Sequence, residues 1–226
     1  MDVFFVIPSK RNNSLNVLEN IKRQNIPNAK TVIVENGFAV GHYKDFDYVI
    51  QSENNVTDAR NAGVSFVLKQ SKKPFIIWMD DDDWYGENYS TEILDNINNG
   101  DMLGKHSVFY KLGNDFVFID GITNKVTNLV HGPTMAGFAE VFVEFPKVNK
   151  WGEDIGLQEK LNGTIYSLSE DYFCGIRHDI DHTWSINNYF FFKLFEKRLF
   201  VASGELGSLK KTNEKVKEEK YKYCWE

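Results

Sequence analysis

Cysteine and proline are scarce in this sequence. Two of its 226 residues are Cys and five are Pro. Cys174 and Cys224 are 50 positions apart, so they provide neither the dense disulfide framework of a small secreted domain nor the paired spacing of a cysteine zinc site. A reducing compartment is therefore expected.

Long apolar runs are also missing. No stretch approaches the ~20 apolar residues that a membrane-spanning helix needs. The apolar run at residues 3–7 has no basic region before it and is too short for a signal peptide. We therefore expect a cytosolic protein.

The chain has no excess of positive charge. Lys and Arg number 26 against 32 Asp and Glu, and the formal net charge is −6. Proteins that bind the phosphate backbone of nucleic acids usually have the opposite balance, so general nucleic-acid binding is disfavoured. Hydrophobic residues make up 42% of the chain and aromatic residues 15%, which predicts a folded core rather than extended disorder.

Short apolar runs alternate with amphipathic segments in the first half of the chain. The strands predicted there are residues 3–7, 31–34, 48–50 and 75–79. The predicted helices are residues 14–24, 57–70 and 86–99, with Thr57 as a candidate cap. Continuous apolar strands that alternate with helices predict an α/β domain with a mixed, mostly parallel central sheet flanked by helices.

The second half of the chain has a different pattern, with a small β region. It is predicted to contain a hairpin at 106–120 that turns at Gly113-Asn114, an apolar segment of either type at 134–145, a helix at 153–162 and strands at 164–168 and 172–176. An aromatic helix at 186–200 and a charged tail are predicted to follow.

Four consecutive aspartates, at positions 80–83, follow the fourth predicted strand directly. Ligands of open α/β sheets bind beyond the carboxyl ends of the strands. Adjacent carboxylates repel one another, and a hard divalent cation relieves that repulsion. The run therefore indicates a metal–diphosphate site. A solvated acidic turn is the alternative, and an EF-hand loop is disfavoured because Tyr85 occupies a ligand position and a strand precedes the run.

Five short motifs follow one another along the chain. They are Val-Ile-Pro-Ser at 6–9, Val-Ile-Val-Glu-Asn-Gly at 32–37, Ala-Arg-Asn-Ala-Gly at 59–63, Met-Asp-Asp-Asp-Asp-Trp at 79–84 and Gly-Glu-Asp-Ile-Gly-Leu at 152–157. In this order and spacing they resemble the inverting glycosyltransferases of family 2, which have the GT-A fold. The resemblance covers about residues 3–185. Glu35 stands where that family usually has Asp, and Lys10 where it often has an aromatic residue.

The resemblance implies a hexosyltransferase that uses a nucleotide-sugar donor, UDP-sugar by family habit, and Mn²⁺ or Mg²⁺. It implies that Asp82 holds the metal, that Asp80 contacts either the nucleotide ribose or the metal, and that Asp81 lies beside them at the donor. Asp154 is then the general base, with Glu153 beside it. The same two acids also suit the first turn of a helix, which is the alternative for this pair.

The resemblance also implies roles for residues at the nucleotide. Pro8, Ser9 and Glu35 are expected to line the base and ribose pocket, although Glu35 also suits an ordinary turn after a strand. Arg60 is expected to pair with the nucleotide phosphates or with an aspartate, and a structural ion pair is an equally expected alternative.

Two late histidines, His178 and His182, are candidates for the metal or the diphosphate. A structural or exposed role is about equally expected for each. His131 has no function assigned beyond its position. Trp84 and Trp151 flank the two acidic motifs and suit either stacking on a sugar or a place in the core.

The resemblance predicts one catalytic domain over residues 1–185. Residues 1–104 form its nucleotide-sugar half and residues 105–185 its acceptor half, with the aromatic helix and tail at 186–226. The aromatic stripe at 189–200 suits packing on the core; peripheral membrane contact and a dimer contact are the alternatives.

The sequence thus favours a metal-dependent inverting glycosyltransferase that acts on an acceptor hydroxyl. The acceptor stays open among a saccharide, a lipid-linked glycan, a protein and a modified nucleic-acid base. A nucleotidyltransferase that forms sugar nucleotides is one alternative, although the first loop lacks the glycines of a triphosphate cradle. A non-catalytic carbohydrate- or nucleotide-binding module is the other.

Overall fold

The computed structural model describes most of the chain and shows a mixed α/β fold, as predicted. The described residues are 1–10, 13–37, 43, 46–53, 55–112, 115–147, 152–177 and 199–203. His178, His182, Trp151, the predicted turn at Gly113-Asn114 and most of the predicted aromatic helix lie outside these ranges.

Four α-helices occur in the described residues: α1 (Ser14–Arg23), α2 (Val56–Gln70), α3 (Tyr89–Asp95) and α4 (Glu153–Lys160). The strands are β1 (Asp2–Ser9), β2 (Lys30–Glu35), β3 (Tyr48–Gln51), β4 (Pro74–Trp78), β5 (Trp84–Tyr85), β6 (Met102–Gly104), β7 (Val108–Leu112), β8 (Asp115–Ile119), β9 (Lys125–Thr127), β10 (Ala136–Phe138), β11 (Ile165–Ser167), β12 (Phe173–Arg177) and β13 (Leu199–Ser203).

The main sheet has the strand order β3-β2-β1-β4-β10-β6-β11-β9. Its first four strands are parallel, and β10 enters antiparallel beside β4. The central strand β1 is buried on both faces, with Phe4 and Val6 in one core cluster and Phe5 and Ile7 in the other. This explains the continuous apolar run at its sequence position, because a parallel strand covered on both sides has no solvent face.

A second sheet has the order β13-β8-β7-β12-β5. Strands β7 and β8 form the predicted hairpin. Strand β5, which directly follows the aspartates, pairs with β12, where Phe173 lies opposite Tyr85. The acidic loop, residues 80–83, lies between β4 of the main sheet and β5 of the second, and is therefore attached to both sheets.

Helix α2 packs closely on the main sheet because it has Gly63 at the contact. A Cβ added there would lie 2.7 Å from a methyl of Val6 and 3.3 Å from one of Val34. The helix is capped by Asn55, whose side chain accepts from the N–H of Asp58 at 2.8 Å. The predicted cap at Thr57 is therefore wrong.

Three other element boundaries differ from the prediction. Strand β1 continues through Pro8, which is possible because pairing with β4 ends at Val6 and the missing N–H costs no ladder bond on that side. Helix α3 ends at Asp95, and the segment predicted at 134–145 forms β10 between two short 3-10 turns.

Residues 199–200, predicted as the end of the aromatic helix, belong to strand β13. This strand pairs antiparallel with β8 from Leu199 opposite Ile119 to Ser203 opposite Asp115. Pairing with a strand far away in the sequence overrides the local helical periodicity there. Among the described residues, no helix has the length and apolar character needed to cross a membrane.

Candidate active site

The acidic loop lies at the carboxyl end of β4, as predicted. One carboxylate oxygen each of Asp80, Asp82 and Asp83 lies within 4.8 Å of the others. Three converging carboxylates fit a hard divalent cation, which prefers oxygen ligands. Asp80 and Asp82 are the predicted ligands, and Asp83 is a third member of the cluster that the prediction does not include.

Asp81 faces away from this cluster, toward the end of β1. Its side chain is buried and accepts a hydrogen bond of 2.6 Å from the Ser9 hydroxyl, which lies 2.6 Å from the hydroxyl of Tyr43. Since Ser9 has a single proton and donates it to Asp81, Tyr43 donates to Ser9. The pKa of Tyr43 is raised to about 12, mainly because its phenol is buried.

Helix α1 holds the acidic loop with a row of amides spaced four residues apart. The Asn16 amide donates to the carbonyl of Asp81 at 2.8 Å, and the Asn20 amide donates to the carbonyl of Asp83 at 2.8 Å. Gln24 continues the row and donates to the carbonyl of Gly86 at 3.0 Å. The four-residue spacing of Asn16, Asn20 and Gln24, the last of which directly follows α1, is a signal that sequence reasoning missed.

Tyr85 connects Asp80 of the acidic loop to Pro133, which lies in the short turn Gly132–Thr134. Its buried hydroxyl accepts from the N–H of Asp80 at 2.8 Å and donates to the carbonyl of Pro133 at 3.0 Å. Burial raises the pKa of Tyr85 well above its ordinary value, and the charges of Asp83 and Asp80 act in the same direction. Tyr85 therefore stays a neutral hydrogen-bond donor.

Arg60, on α2, lies between the acidic loop and the predicted catalytic pair. Its guanidinium is 3.1 Å from a carboxylate oxygen of Glu153 and 3.7 Å from one of Asp80, and only 4% of the side chain is exposed. Burial alone lowers the pKa of Arg60, but the summed attraction of Glu153, Asp80 and Asp154 outweighs it, so the pKa is raised. Arg60 thus forms ion pairs with both Asp80 and Glu153; its expected contact with nucleotide phosphates stays a prediction.

Glu153 and Asp154 form the first turn of α4, which starts after Gly152. Glu153 is buried and Asp154 is half-buried. The Asp154 carboxylate occupies the space where a side chain at Gly132 or Gly152 would be. Gln158 ties α4 to the backbone of Val130. The amide of Gln158 accepts from the N–H of Val130 at 2.7 Å and donates to the carbonyl of Val130 at 3.0 Å.

The predicted nucleotide residues lie together at the ends of β1 and β2. Pro8 and Ser9 pair with Val34 and Glu35 across the two strands. Glu35 is buried and accepts a hydrogen bond from the side chain of Gln51. The neighbouring Asn36 is also buried, and no hydrogen-bond partner of its side-chain oxygen is found in the described part of the chain.

A buried ion pair not predicted from the sequence lies behind the site. The ammonium group of Lys105 is 2.6 Å from a carboxylate oxygen of Glu92 and donates to the carbonyl of Ser169 at 2.7 Å. Burial lowers the pKa of Lys105, and the charge of Glu92 opposes that shift. His131, at the edge of the site, is half-buried with its Nδ1 3.2 Å from the hydroxyl of Tyr110.

Comparison with known proteins shows the fold. No family model matches the chain, and no curated protein matches it in sequence. Among solved structures, a fragment of S. aureus TarS in complex with UDP-GlcNAc has a TM-score of 0.58 and 18% identity over 87% of this chain and 65% of the fragment. A mannosyltransferase from Pyrobaculum calidifontis, in complex with GDP-Man and Mn²⁺, has a TM-score of 0.55 and 12% identity over 80% of this chain and 58% of its own.

This chain therefore spans less than two thirds of the length of these two structures. At such low identity the likeness establishes a shared fold. The chain has the GT-A-type fold that the sequence motifs implied.

Proposed function

We propose that this protein is a metal-dependent, inverting glycosyltransferase of the family 2 type that transfers a hexose from a nucleotide-sugar donor to an acceptor hydroxyl. The observation that carries the proposal is the position of Arg60, which contacts Asp80 of the acidic loop and Glu153 of the catalytic pair. Arg60 and Glu153 belong to two motifs and are 93 residues apart in the sequence, and they contact each other in one site.

Asp154 acts in this proposal as the general base. It takes the proton of the acceptor hydroxyl while that oxygen forms a bond to the anomeric carbon. The bond from the anomeric carbon to the diphosphate breaks, and the nucleoside diphosphate leaves with the electron pair. Attack from the face opposite the leaving group inverts the configuration of the sugar.

Asp80, Asp82 and Asp83 would hold the metal, which would be Mn²⁺ or Mg²⁺. When bound, it supplies positive charge that stabilises the leaving diphosphate. Pro8, Ser9 and Glu35 would line the nucleoside pocket. In this proposal residues 1–104 bind the donor and residues 105–185 bind the acceptor. UDP-sugar is favoured as donor because the S. aureus structure holds UDP-GlcNAc. A GDP-sugar is the second candidate, because the Pyrobaculum calidifontis structure holds GDP-Man and Mn²⁺.

The first test is thermal unfolding with UDP, GDP, UTP or GTP in the presence of Mn²⁺, Mg²⁺ or EDTA. A ligand at 100 times its Kd stabilises the native state by about 2.7 kcal/mol. For a chain of this size that corresponds to a rise in Tm of roughly 5–11 °C. We expect such a rise with one nucleoside diphosphate, and we expect EDTA to abolish it. A rise with triphosphates alone indicates a nucleotidyltransferase, and no rise from a folded sample contradicts the proposal.

The second test is Asp154→Asn, assayed by release of nucleoside diphosphate from the donor identified above. Loss of a general base costs on the order of 10²- to 10⁴-fold in rate, while donor binding should persist. Glu159→Gln is the matched control, because Glu159 lies on the same helix and is exposed. Full activity in Asp154→Asn would show that the base is another residue.

A further inference from the structure

The short turn Gly132–Thr134 touches both halves of the proposed site. On one side, the carbonyl of Pro133 accepts from the hydroxyl of Tyr85, which in turn accepts from the N–H of Asp80. On the other side, Gly132 lies directly against the carboxylate of Asp154. Two adjacent residues of one turn thus contact Asp154 directly and Asp80 through Tyr85.

The contact at Gly132 depends on the absence of a side chain. A Cβ added there would overlap an oxygen of the Asp154 carboxylate and lie 2.8 Å from its Cγ. The backbone of Gly132 is not in the left-handed region, so alanine would not strain the main chain. The absence of a side chain at Gly132 therefore leaves room for the Asp154 carboxylate.

The contact at Tyr85 depends on its hydroxyl. The ring is fully buried and packs on Tyr89 at 4.9 Å and on Phe173 at 5.3 Å between centroids. The hydroxyl of Tyr89 is also buried, but no hydrogen-bond partner for it is found among the described residues. Of these two tyrosine hydroxyls, that of Tyr85 contacts both Asp80 and the turn; the Arg60 guanidinium also lies near both, 3.4 Å from the Gly132 carbonyl and 3.7 Å from Asp80.

The turn itself is firmly held from behind. The hydroxyl of Thr134 accepts from the N–H of Lys105 at 2.9 Å and donates to the carbonyl of His131 at 2.7 Å. The N–H of His131 donates to the carbonyl of Lys105 at 2.8 Å. Lys105 is anchored in turn by the buried pair with Glu92. A turn fixed in this way keeps a constant distance between the Tyr85 hydroxyl and the Asp154 carboxylate, which contact it on opposite sides.

We propose that Tyr85 and Gly132 are positioning residues that set the separation between the acidic loop and Asp154 through the Gly132–Thr134 turn. The proposal rests on the function proposed above. In-line transfer needs the diphosphate and the base on opposite sides of the anomeric carbon at a fixed distance. Misplacement by about 1 Å can cost on the order of 100-fold in rate.

The experiment compares two pairs of variants that differ in one group. Tyr85→Phe is compared with Tyr89→Phe, and Gly132→Ala with Gly163→Ala. Gly163 is the matched glycine because a Cβ there would meet the carboxylate of Asp101, at 2.7 Å, outside the site. Three quantities are measured: the Kd for Mn²⁺ by calorimetry, the Tm, and kcat and KM for nucleoside diphosphate release from UDP-GlcNAc, UDP-glucose or GDP-mannose with Mn²⁺.

We expect Tyr85→Phe to weaken Mn²⁺ binding about tenfold, because Asp80 loses the hydrogen bond that fixes its backbone, and to lower kcat. We expect Gly132→Ala to lower kcat by at least about tenfold with Mn²⁺ binding and KM for the donor unchanged. Both control variants should match the wild type in Mn²⁺ binding and kcat.

The proposal is overturned if Tyr85→Phe binds Mn²⁺ as Tyr89→Phe does, or if Gly132→Ala turns over as Gly163→Ala does. The failure of the proposed function has a different signature. In that case Asp154→Asn keeps full activity, or the wild type releases no nucleoside diphosphate, and the Mn²⁺ comparison of the two tyrosine variants still decides whether Tyr85 positions the loop.

Discussion

Replacing Arg60 with methionine should destabilise the fold strongly. The side chain is 4% exposed, and its guanidinium lies 3.1 Å from Glu153 and 3.7 Å from Asp80. It also lies 5.3 Å from the ring of Trp78. Methionine retains much of the apolar stem but removes the charge and all five N–H donors.

The magnitude follows from what the substitution leaves behind. Glu153 keeps only 11% of its side chain exposed and Asp80 keeps 30%, so water compensates Glu153 poorly and Asp80 partly. Removing one partner of a buried ion pair costs about 3–5 kcal/mol. For a chain of this size the expected fall in Tm is roughly 6–20 °C. Arg60→Lys should lower the stability less than Arg60→Met, because the ammonium group keeps the positive charge. Some stability should still be lost, because a single ammonium group cannot span both carboxylates.

The assay is urea unfolding monitored by circular dichroism at pH 7, with Arg60→Met, Glu153→Gln and the double variant. If the loss comes from an unpaired buried carboxylate, Glu153→Gln should restore part of it in the double variant. A loss under about 1 kcal/mol in Arg60→Met would refute the reasoning. So would a double variant whose loss equals the sum of the two single losses, since additive losses indicate independent sites.

Three further predictions concern the sheet and the acidic loop. Gly63→Ala should lower the free energy of unfolding by about 1–3 kcal/mol, measured in urea, because the new Cβ would lie 2.7 Å from a methyl of Val6. Asn20→Ala should weaken Mn²⁺ binding severalfold by calorimetry, because the carbonyl of Asp83 loses a donor at 2.8 Å; an unchanged Kd would contradict this. Burial raises the pKa of Tyr43 to about 12, above the roughly 10 of an unfolded tyrosine. The free energy of unfolding should therefore be independent of this group below about pH 10 and should fall between about pH 10 and pH 12, where only the unfolded state loses the proton. Tyr43→Phe should flatten that fall in a pH series of urea unfolding.

The sequence was a good guide to the parallel core and a poor one to the short strands. The runs that became β1, β2 and β4 are apolar without interruption, which is the pattern of strands covered on both faces. Strands β6 and β9 have three residues each, and their strand conformation comes from pairing with β11. A three-residue window carries no periodicity from which such pairing can be read.

The same distinction applies to the candidate site. Asp80, Asp82 and Asp154 could be identified because each lies in a local motif at a strand or helix end. Tyr85 and Gly132 could not, because what they do depends on partners elsewhere in the sequence, such as Pro133, 48 positions from Tyr85. The local sequence around Tyr85 is equally consistent with an ordinary buried aromatic residue.

The way in which α1 holds the acidic loop bears on how that loop can bind a cation. Asn16 and Asn20 donate to backbone carbonyls of the loop, and Gln24 donates to the carbonyl of Gly86 just after it, so three neutral amides fix its path. A lysine in the same place would fix the loop through its carboxylates and compete with a cation for their charge. These contacts from α1 take no charge from the carboxylates, so the cation that faces a proposed ligand here is Arg60, 3.7 Å from Asp80. Holding the loop by its backbone also spares much of the entropy cost of ordering it on binding. The amide row on α1 is therefore as much a part of the proposed metal site as the aspartates.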